Sequence, residues 1–532
     1  MLQDRKKIVV LGLDGASWDL LDPLMEKGLM PNLKRIVGDG VSGILESTIP
    51  PYTAPAWVSC ITGVNPGKHG IFGFTLKNNG VAKGEFVDSS LIRMPKLWDW
   101  INEAGKTVGL INIPITYPAG PVDGFVVPCF LTPLGKEDYT YPPSIYRDFL
   151  LPLDYVINVR IGAIQGFSEE IFVKTVNDVK YMAQRRCEVM EALRAVYNPD
   201  FLMIVFTALD KVQHKFWKYL DPRDQMYETA FAQRFRPLLL SVYEQMDGII
   251  GRILDKLDNN STLYIVSDHG FGPQKKNFFM NKWLANNGFL KVRKTSVIRY
   301  RFLLRSAKRL DFFARNVDVF NNPIYECVHY GKSSFIGSDP YEQGVYFIGK
   351  ACDSEYSDKI SKLKQKLGEV KDPETGMYLF ERVYHREELY TGNHTNKAPD
   401  IILRLKDYGY NITRGFPLKN KIFNRVEKPA GCHRPAGIFV AYGKDIVPGK
   451  ETSASIMDVT PTVLYEMGLP VHSEMDGKAR KEIFSDSFQD SHEMTHAEAA
   501  QIPKRRVAEE IGYSDGEKEE IAGRLKDLGY LD

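Results

Sequence analysis

The chain has 532 residues, long enough for one large core or for two or three domains, and its 43% hydrophobic and 12% aromatic content is ordinary for a globular protein. Because Lys plus Arg (69) nearly balances Asp plus Glu (67), the chain as a whole shows no bias towards a polyanionic partner. No run approaches the roughly 20 apolar residues of a membrane-spanning helix, and six scattered cysteines without a CxxC pair indicate reduced thiols and a cytoplasmic location.

Four apolar, β-branched runs predict strands that are buried on both faces, since their hydrophobicity is continuous rather than alternating. These runs are residues 8–13, 108–112, 201–206 and 261–266. The first run is too short for the core of a signal peptide, and no small-residue cleavage site follows it, which also favours the cytoplasm. Together the runs predict an α/β fold with a mostly parallel central sheet and helices on both faces.

Helical patterns lie between these strands, at 98–104 ahead of Gly105, at about 168–197 and at about 225–257. From 286 to 380 the composition changes, with a basic-aromatic segment, a strand-like run at 341–349 and a charged helix at about 354–368. We interpret this stretch as an inserted cap that covers the ligand edge of the sheet.

The rest of the chain is expected to complete the core. Strand-like runs at 400–403 and 437–441 are predicted to return to it, and a polar tail from 486 ends in a charged helical pattern at about 517–528. The predicted parts are a first core part (1–285), the inserted cap (286–380), a second core part (381–485) and a C-terminal tail with a helix (486–532).

Asp210 and His214 lie four residues apart after the third predicted strand. On a helical turn they share one face, which is a common way to give two ligands to one metal ion. The alternative is a carboxylate that caps the helix beside a surface histidine. The pair alone does not decide between the two.

Four other candidate ligands are also ambiguous one by one. Asp268 and His269 follow the strand 261–266 and can turn into one cleft, but Asp and Gly there also suit a plain turn. Asp14 follows the first strand with the same alternative, and His433 lies in a predicted loop ahead of another strand.

Taken together, these three Asp and three His offer hard oxygen and borderline nitrogen ligands at the ligand edge of the sheet. Such a set suits two divalent Zn²⁺-like ions, with Mn²⁺ or Fe as alternatives. Two ions about 4 Å apart can hold a nucleophile and a leaving oxygen on opposite sides of a phosphorus atom.

A hydroxyl nucleophile is available in the segment 50–63. Thr53 is predicted to be the N-cap of an apolar helix, with Pro55 in its first turn. A hydroxyl there can sit on a metal, which lowers its pKa, while the helix N-terminus favours an incoming phosphate. Ser59 and Thr62 are less suited, because they would lie inside the helix or at its far end. The alternative is that Thr53 only caps the helix.

In this order the motifs resemble those of the alkaline phosphatase superfamily, and more closely its type I phosphodiesterase/nucleotide pyrophosphatase branch. The resemblance covers roughly residues 8–285 and 395–480 and implies an alkaline phosphatase-like core. It rests on Asp14-Gly15, Thr53-Ala54-Pro55 running to Thr62-Gly63, Pro66 with His69-Gly70-Ile71, Asp210 with His214, Asp268-His269-Gly270, and His433.

The resemblance implies a role for each candidate residue. One metal would be bound by Asp14, Thr53, Asp268 and His269, and the other by Asp210, His214 and His433. Thr53 would attack phosphorus in line to form a phosphothreonine intermediate, which a water activated at the second metal releases. His69 is not a ligand in the family pattern and is expected to be structural. The implied substrate is a small phosphate ester or a nucleotide-like molecule.

At Phe74 the chain departs from the pattern that it resembles, because nucleotide pyrophosphatases usually carry an Asn there that donates to a phosphate oxygen. Asn78, Asn79 or a backbone amide is a candidate substitute, and this departure leaves the preference for diesters open. Sulfatases share the implied fold but need an oxidisable Cys or Ser at the nucleophile position, so Thr53 argues against that activity.

A basic segment at 291–315 contains nine Lys or Arg against the single acid Asp311, with Ile298, Phe302, Leu303 and Leu310 at near-helical spacing. It predicts either a solvated helix packed on the core or an interfacial helix near an anionic membrane or a polyanionic substrate. No recognisable nucleic-acid-binding motif accompanies it.

The leading hypothesis is a two-metal phosphodiesterase. The alternatives are a phosphomonoesterase or phosphotransferase of the same superfamily and an inactive binding homologue, against which the intact ligand set argues. The oligomeric state is not readable from the sequence.

Overall fold

The computed structural model describes residues 5–78, 80–159, 161, 168–307, 323–350, 352–417, 421–498, 503, 512–527 and 530. The chain forms two compact units. Unit 1 comprises Met1–Ile71, Asp88–Pro273 and Pro429–Gly512, and unit 2 comprises Phe72–Val87, Gln274–Lys428 and Tyr513–Asp532. Unit 2 thus combines the predicted cap with segments that are distant in the sequence, while the four-part division stays a prediction.

The described strands are, in chain order, β1 (Lys7–Leu13), β2 (Val41–Glu46), β3 (Thr75–Asn78), β4 (Val81–Phe86), β5 (Val108–Ile111), β6 (Gly124–Val127), β7 (Phe201–Phe206), β8 (Ser261–Val266), β9 (Gly270–Pro273), β10 (Lys276–Phe279), β11 (Phe335–Gly337), β12 (Gly344–Phe347), β13 (Phe380–His385), β14 (Ile401–Leu405), β15 (Tyr410–Thr413), β16 (Phe423–Arg425), β17 (Gly431–Arg434), β18 (Ala436–Gly443), β19 (Lys450–Ser455), β20 (Val471–His472) and β21 (His496–Ala497). The described α-helices are Trp18–Glu26, Pro31–Asp39, Thr53–Thr62, Pro66–His69, Leu97–Glu103, Glu169–Tyr197, Ala208–Leu220, Ala230–Leu254, Met280–Asn286, Lys294–Ala307, Pro323–Glu326, Asp353–Gly368, Arg386–Leu389, Val459–Glu466, Asp486–Ser491 and Asp515–Asp527. None of them is long and apolar enough to cross a membrane.

The centre of unit 1 is an eight-stranded sheet in the order β19-β2-β18-β8-β1-β7-β5-β6. The five strands from β8 to β6 run parallel, whereas β18 is antiparallel to both of its neighbours. All residues of β5, β7 and β8 are buried, as their continuous hydrophobicity predicts. This confirms the predicted mostly parallel α/β sheet, with helices packed around it.

Two strand predictions differ in their outcome. The run 437–441 lies within β18 of the central sheet, as expected. The run 400–403 does not return to that sheet, because β14 pairs with β12 and β13 in the four-stranded sheet β11-β12-β14-β13 of unit 2. A short apolar run indicates a buried strand but carries no information about which sheet buries it.

Unit 2 has a hydrophobic core of its own. Strands of two small sheets and a helix contribute to it, and Phe278, Leu363 and Leu403 are among its fully buried members. The predicted charged helix at about 354–368 is Asp353–Gly368 and packs on this core through Ile360, Leu363 and Leu367. The predicted basic helix is Lys294–Ala307, and residues 308–315 of the basic segment lie outside the described residues.

Candidate metal centre

The carboxyl ends of three neighbouring strands bring the candidate residues of unit 1 together. β1 pairs in parallel with β7 and β8, with Leu13 opposite Phe206 and Gly12 opposite Val266. Asp14 therefore emerges beside the chain that leads to Asp210, and the Asp210 amide donates to the Asp14 carbonyl over 3.1 Å. The edge of the sheet thus collects the acidic residues, as the parallel pattern predicts.

His433 reaches this edge from another direction. It lies in β17, which pairs antiparallel with β9 and sets His433 opposite Phe271. The prediction of a loop at His433 is therefore wrong. The flanking Gly431 and Pro435 favour a loop, yet the pairing with β9 extends the chain.

Thr53 is the first residue of its helix rather than the N-cap. Tyr52 holds the N-cap position in an extended conformation, and its side chain makes no capping hydrogen bond. The predicted capping role of Thr53 is therefore wrong. The Thr53 Oγ1 instead lies 3.1 Å from Nε2 of His269. A hydroxyl at the helix start thus meets a histidine of the cluster, next to the positive end of the helix.

The first group of candidate ligands combines two carboxylates and a histidine. Atoms of Asp14, Asp268 and His269 all lie within 4.8 Å of one another, and the three side chains are buried. Nε2 of His269 is 3.3 Å from Oδ2 of Asp268 and 3.7 Å from Oδ1 of Asp14. Thr53 completes this group through the contact with His269.

The second group centres on Asp210. Its Oδ1 is 3.1 Å from Nε2 of His214 and 3.5 Å from Nε2 of His433. Both histidine nitrogens are themselves only 3.0 Å apart. Asp210 and His214 share one face of the helix Ala208–Leu220, with Thr207 at its N-cap, so Asp210 does not cap the helix. His269 also lies within 4.8 Å of Asp210 and His433, which makes it the neighbour of both groups.

Backbone carbonyls orient two of the histidines. Nδ1 of His269 lies 3.1 Å from the carbonyl of Gly270, and Nδ1 of His433 lies 3.0 Å from the carbonyl of Pro51. A carbonyl only accepts, so each Nδ1 carries the hydrogen and each neutral ring turns the lone pair of Nε2 into the cluster. Burial lowers the pKa of His433 to about 4 and that of His269 well below its usual range, so both rings are neutral near pH 7.

Burial and neighbouring charges shift the pKa values of the three buried carboxyl groups. Burial, followed by the charge of neighbouring acids, raises the pKa of Asp14 and of Asp268 well above the usual range. Burial also acts on Asp210, but His214 and His433 outweigh it and lower the Asp210 pKa. Oδ1 of Asp14 and Oδ2 of Asp268 are buried without a hydrogen-bond partner. Lone pairs that converge in this way fit divalent cations.

The comparisons with known proteins agree with this geometry. The family model for type I phosphodiesterase / nucleotide pyrophosphatase matches residues 8–436. The chain belongs to this family. It is a hydrolase that acts on phosphoric ester bonds, and the family is metal-dependent. No curated protein matches the chain in a sequence search.

A solved structure shows the same fold at low sequence identity. Phosphonoacetate hydrolase from Sinorhizobium meliloti 1021 in complex with phosphonoformate aligns with a TM-score of 0.50 and 16% identity, over 87% of this chain and 95% of that one. Human ectonucleotide pyrophosphatase / phosphodiesterase 5 aligns with a TM-score of 0.49 and 14% identity, over 90% of this chain and 100% of that one.

Three residues that contact the candidate metal centre are not predicted from the sequence. Trp57 Nε1 lies 3.4 Å from Oδ2 of Asp14, and Gln213 Nε2 donates to the carbonyl of Gly15 over 2.8 Å. The ring of Phe271 lies edge-on to His214, with centroids 4.8 Å apart. The sequence indicates them only through their position near a motif residue. Many residues that do not contact the site lie equally near a motif.

Ser59 and His69 form a second hydroxyl–histidine pair in unit 1. Ser59 Oγ lies 3.0 Å from Nε2 of His69, and Nδ1 of His69 accepts from the amide of Ile71 over 3.1 Å. Because Nδ1 accepts, a neutral His69 carries its hydrogen on Nε2 and donates it to Ser59. His69 in that tautomer cannot take a proton from Ser59, so the pair does not generate a nucleophile.

The position expected to carry the phosphate-binding Asn is apolar in structure as well as in sequence. Phe74 is buried in unit 2, and its ring centroid lies 5.0 Å from that of Tyr530. Asn79 and the side chain of Asn78 lie outside the described residues.

Proposed function

We propose that the chain is a phosphodiesterase that uses Thr53 as its nucleophile and holds two divalent cations. One cation would lie among Thr53, Asp14, Asp268 and His269, and the other among Asp210, His214 and His433. The observation that carries the proposal is the convergence of buried lone pairs from both groups, with the Thr53 hydroxyl at its edge. Zn²⁺ suits the mixed oxygen and nitrogen set, with Mn²⁺ or Fe as alternatives.

Bound there, the cations would supply stabilisation of negative charge on the phosphoryl oxygens and a lowered pKa for a hydroxyl. In the first step Thr53 Oγ1 loses its proton and bonds to phosphorus, while the leaving-group oxygen departs with the electron pair of its bond and gains a proton. In the second step water attacks the same phosphorus, and Thr53 Oγ1 leaves and regains its proton. A phosphothreonine intermediate links the two steps.

The helix Thr53–Thr62 supports this chemistry in a second way. The first four amides of a helix have no acceptor within the helix, and its N-terminus carries partial positive charge. Pro55 has no amide hydrogen, and the amide of Ala54 lies at the helix start. We propose that this amide holds a phosphoryl oxygen in place of the Asn that Phe74 replaces.

The substrate is proposed to be a small phosphate diester or a nucleotide-like molecule. A phosphomonoesterase or phosphotransferase remains the alternative, because Phe74 offers no donor to a phosphate oxygen. The cytoplasmic location predicted from the scattered cysteines stays a prediction.

A substrate panel tests the proposal. The protein is assayed with bis-p-nitrophenyl phosphate, p-nitrophenyl phosphate and p-nitrophenyl sulfate, with and without chelator. We expect chelator-sensitive cleavage of the diester to exceed that of the monoester, with the sulfate inert. Faster cleavage of the monoester would favour the phosphomonoesterase, and full activity after metal removal would overturn the two-metal site.

A further inference from the structure

The helix Lys294–Ala307 of unit 2 presents different chemistry on two faces. Val297 and Tyr300 pack against the core of unit 2, and the ring centroids of Tyr300 and Phe416 are 6.5 Å apart. Ile298 and Phe302 lie one turn apart and are 67% and 69% exposed. The helix is therefore anchored through one face and displays a large apolar pair on another.

No large hydrophobic side chain in the described part of the chain is more exposed than Phe302, and Ile298 follows it. Single exposed apolar residues are ordinary on protein surfaces. Two large ones at helical spacing form a contiguous patch, which marks a contact surface when charged residues surround it.

The charges around this pair have one sign. Residues 291–307 contain six Lys or Arg and no Asp or Glu, whereas the whole chain is nearly balanced. Four of these cations lie in the described surface and are exposed, namely Lys291, Arg293, Lys294 and Arg299. We call these four residues, with Ile298 and Phe302, the basic apolar surface.

We propose that the basic apolar surface binds an anionic lipid bilayer, an interaction that goes beyond ester hydrolysis. The cations would lie against acidic headgroups, and the Ile298 and Phe302 side chains would enter the boundary between headgroups and acyl chains. Charge complementarity favours an anionic partner. A nucleic acid would also satisfy the cations and would find a stacking surface in Phe302, but it offers Ile298 no apolar partner, whereas acyl chains accept both side chains.

Co-sedimentation of the full chain with vesicles tests the proposal. The vesicles are phosphatidylcholine alone or phosphatidylcholine mixed with phosphatidylserine, each at low and high salt. We expect binding to the mixed vesicles at low salt, with an affinity that falls about tenfold or more in the double variant Ile298→Ser/Phe302→Ser and in Lys294→Glu/Arg299→Glu. Val196→Ser is the matched control, because Val196 is an equally exposed apolar residue (66%) on a helix of unit 1.

The esterase activity and circular dichroism of each variant check that it folds. Equal sedimentation with both kinds of vesicle, or no loss of binding in the Ile298→Ser/Phe302→Ser protein, would overturn the proposal. Retention on immobilised heparin that the apolar double variant leaves unchanged, together with no vesicle binding, would assign the surface to a polyanion instead.

Discussion

Nε2 of His433 lies 3.0 Å from Nε2 of His214, and both nitrogens lie within 3.5 Å of Oδ1 of Asp210. Nδ1 of His433 donates to the Pro51 carbonyl, so the lone pair of the neutral ring is on Nε2, the atom that faces Asp210 and His214. Because burial lowers the pKa of His433 to about 4, His433 is neutral near pH 7 and its Nε2 accepts either a hydrogen from Nε2 of His214 or a metal cation.

Metal removal is expected to lower both activity and stability. Chelation leaves the buried carboxylates of Asp14 and Asp268 side by side, without the charge that offsets their burial. We expect diester cleavage to be lost and the melting temperature to fall. The free energy of unfolding should drop by about 2.7 kcal/mol if the metal had been present at about 100 times its dissociation constant. Calorimetry before and after chelation measures the change, and added Zn²⁺ or Mn²⁺ should reverse it.

A pair of histidine variants controls for this effect. His433→Gln should bind less metal per chain, whereas His472→Gln should bind the usual amount, since His472 is equally buried but accepts from the Glu474 amide instead. Equal metal content in the two variants would speak against the second ligand group.

Ser59→Ala is expected to leave catalysis unchanged. Ser59 accepts a hydrogen bond from His69 inside the helix and is not activated, so its loss should cost about 1 kcal/mol of folding free energy. Denaturant unfolding measures the cost, and diester cleavage measures the activity. If the rate of diester cleavage fell as far in Ser59→Ala as in Thr53→Ala, Ser59 rather than Thr53 would be the candidate nucleophile.

Gly12→Ala is expected to destabilise unit 1. A Cβ at Gly12 would lie 2.5 Å from Cη2 of Trp57 and 2.8 Å from Cγ2 of Val205, so the Trp57 ring would have to move. Overpacking of this kind costs about 1–3 kcal/mol. Since Trp57 lies against Asp14, metal affinity should fall as well. Gly38→Ala is the control, because its helical position has nothing within 4 Å of a Cβ and should gain stability. An unaltered unfolding midpoint in Gly12→Ala would contradict the packing account.

Arg414→Met is expected to destabilise unit 2. The Arg414 guanidinium is buried and lies 2.7 Å from Oδ1 of Asp339, which is itself buried. Removal of Arg414 leaves Asp339 with Lys77 as its cation, so the loss should exceed about 1 kcal/mol but stay below the about 3–5 kcal/mol of a fully uncompensated buried charge. The exposed pair of Arg425 and Glu374, at 2.8 Å, supplies the control, because Arg425→Met should cost no more than about 1 kcal/mol. Similar losses in urea unfolding of the two variants would refute the distinction.

Some of the candidate ligands could be placed from the sequence because they follow a recognisable strand. Parallel neighbours such as β1 and β7 end at the same edge, so Asp14 and Asp210 could be placed together without knowledge of the side chains. The predicted N-cap at Thr53 is wrong by one residue, since the cap is Tyr52 and helix boundaries read from a sequence shift by that much.

Contacts between residues far apart in the sequence could not be predicted either. Nothing in the residues of β14 says that its partners are β12 and β13 rather than the central sheet, because strand patterns do not encode neighbours. The same holds for Asp339 and Arg414, which are 75 positions apart in the numbering and meet only in the folded unit.

The most direct test of the central claim is to trap Thr53 in its covalent state. The protein is mixed with bis-p-nitrophenyl phosphate, quenched in acid and digested, and the peptide with Thr53 is examined by mass spectrometry. We predict a p-nitrophenylphosphoryl group on Thr53, slower turnover in Thr53→Ser, and loss of the adduct with an at least about 10³-fold lower rate in Thr53→Ala. Diester hydrolysis by Thr53→Ala at the wild-type rate would contradict the account.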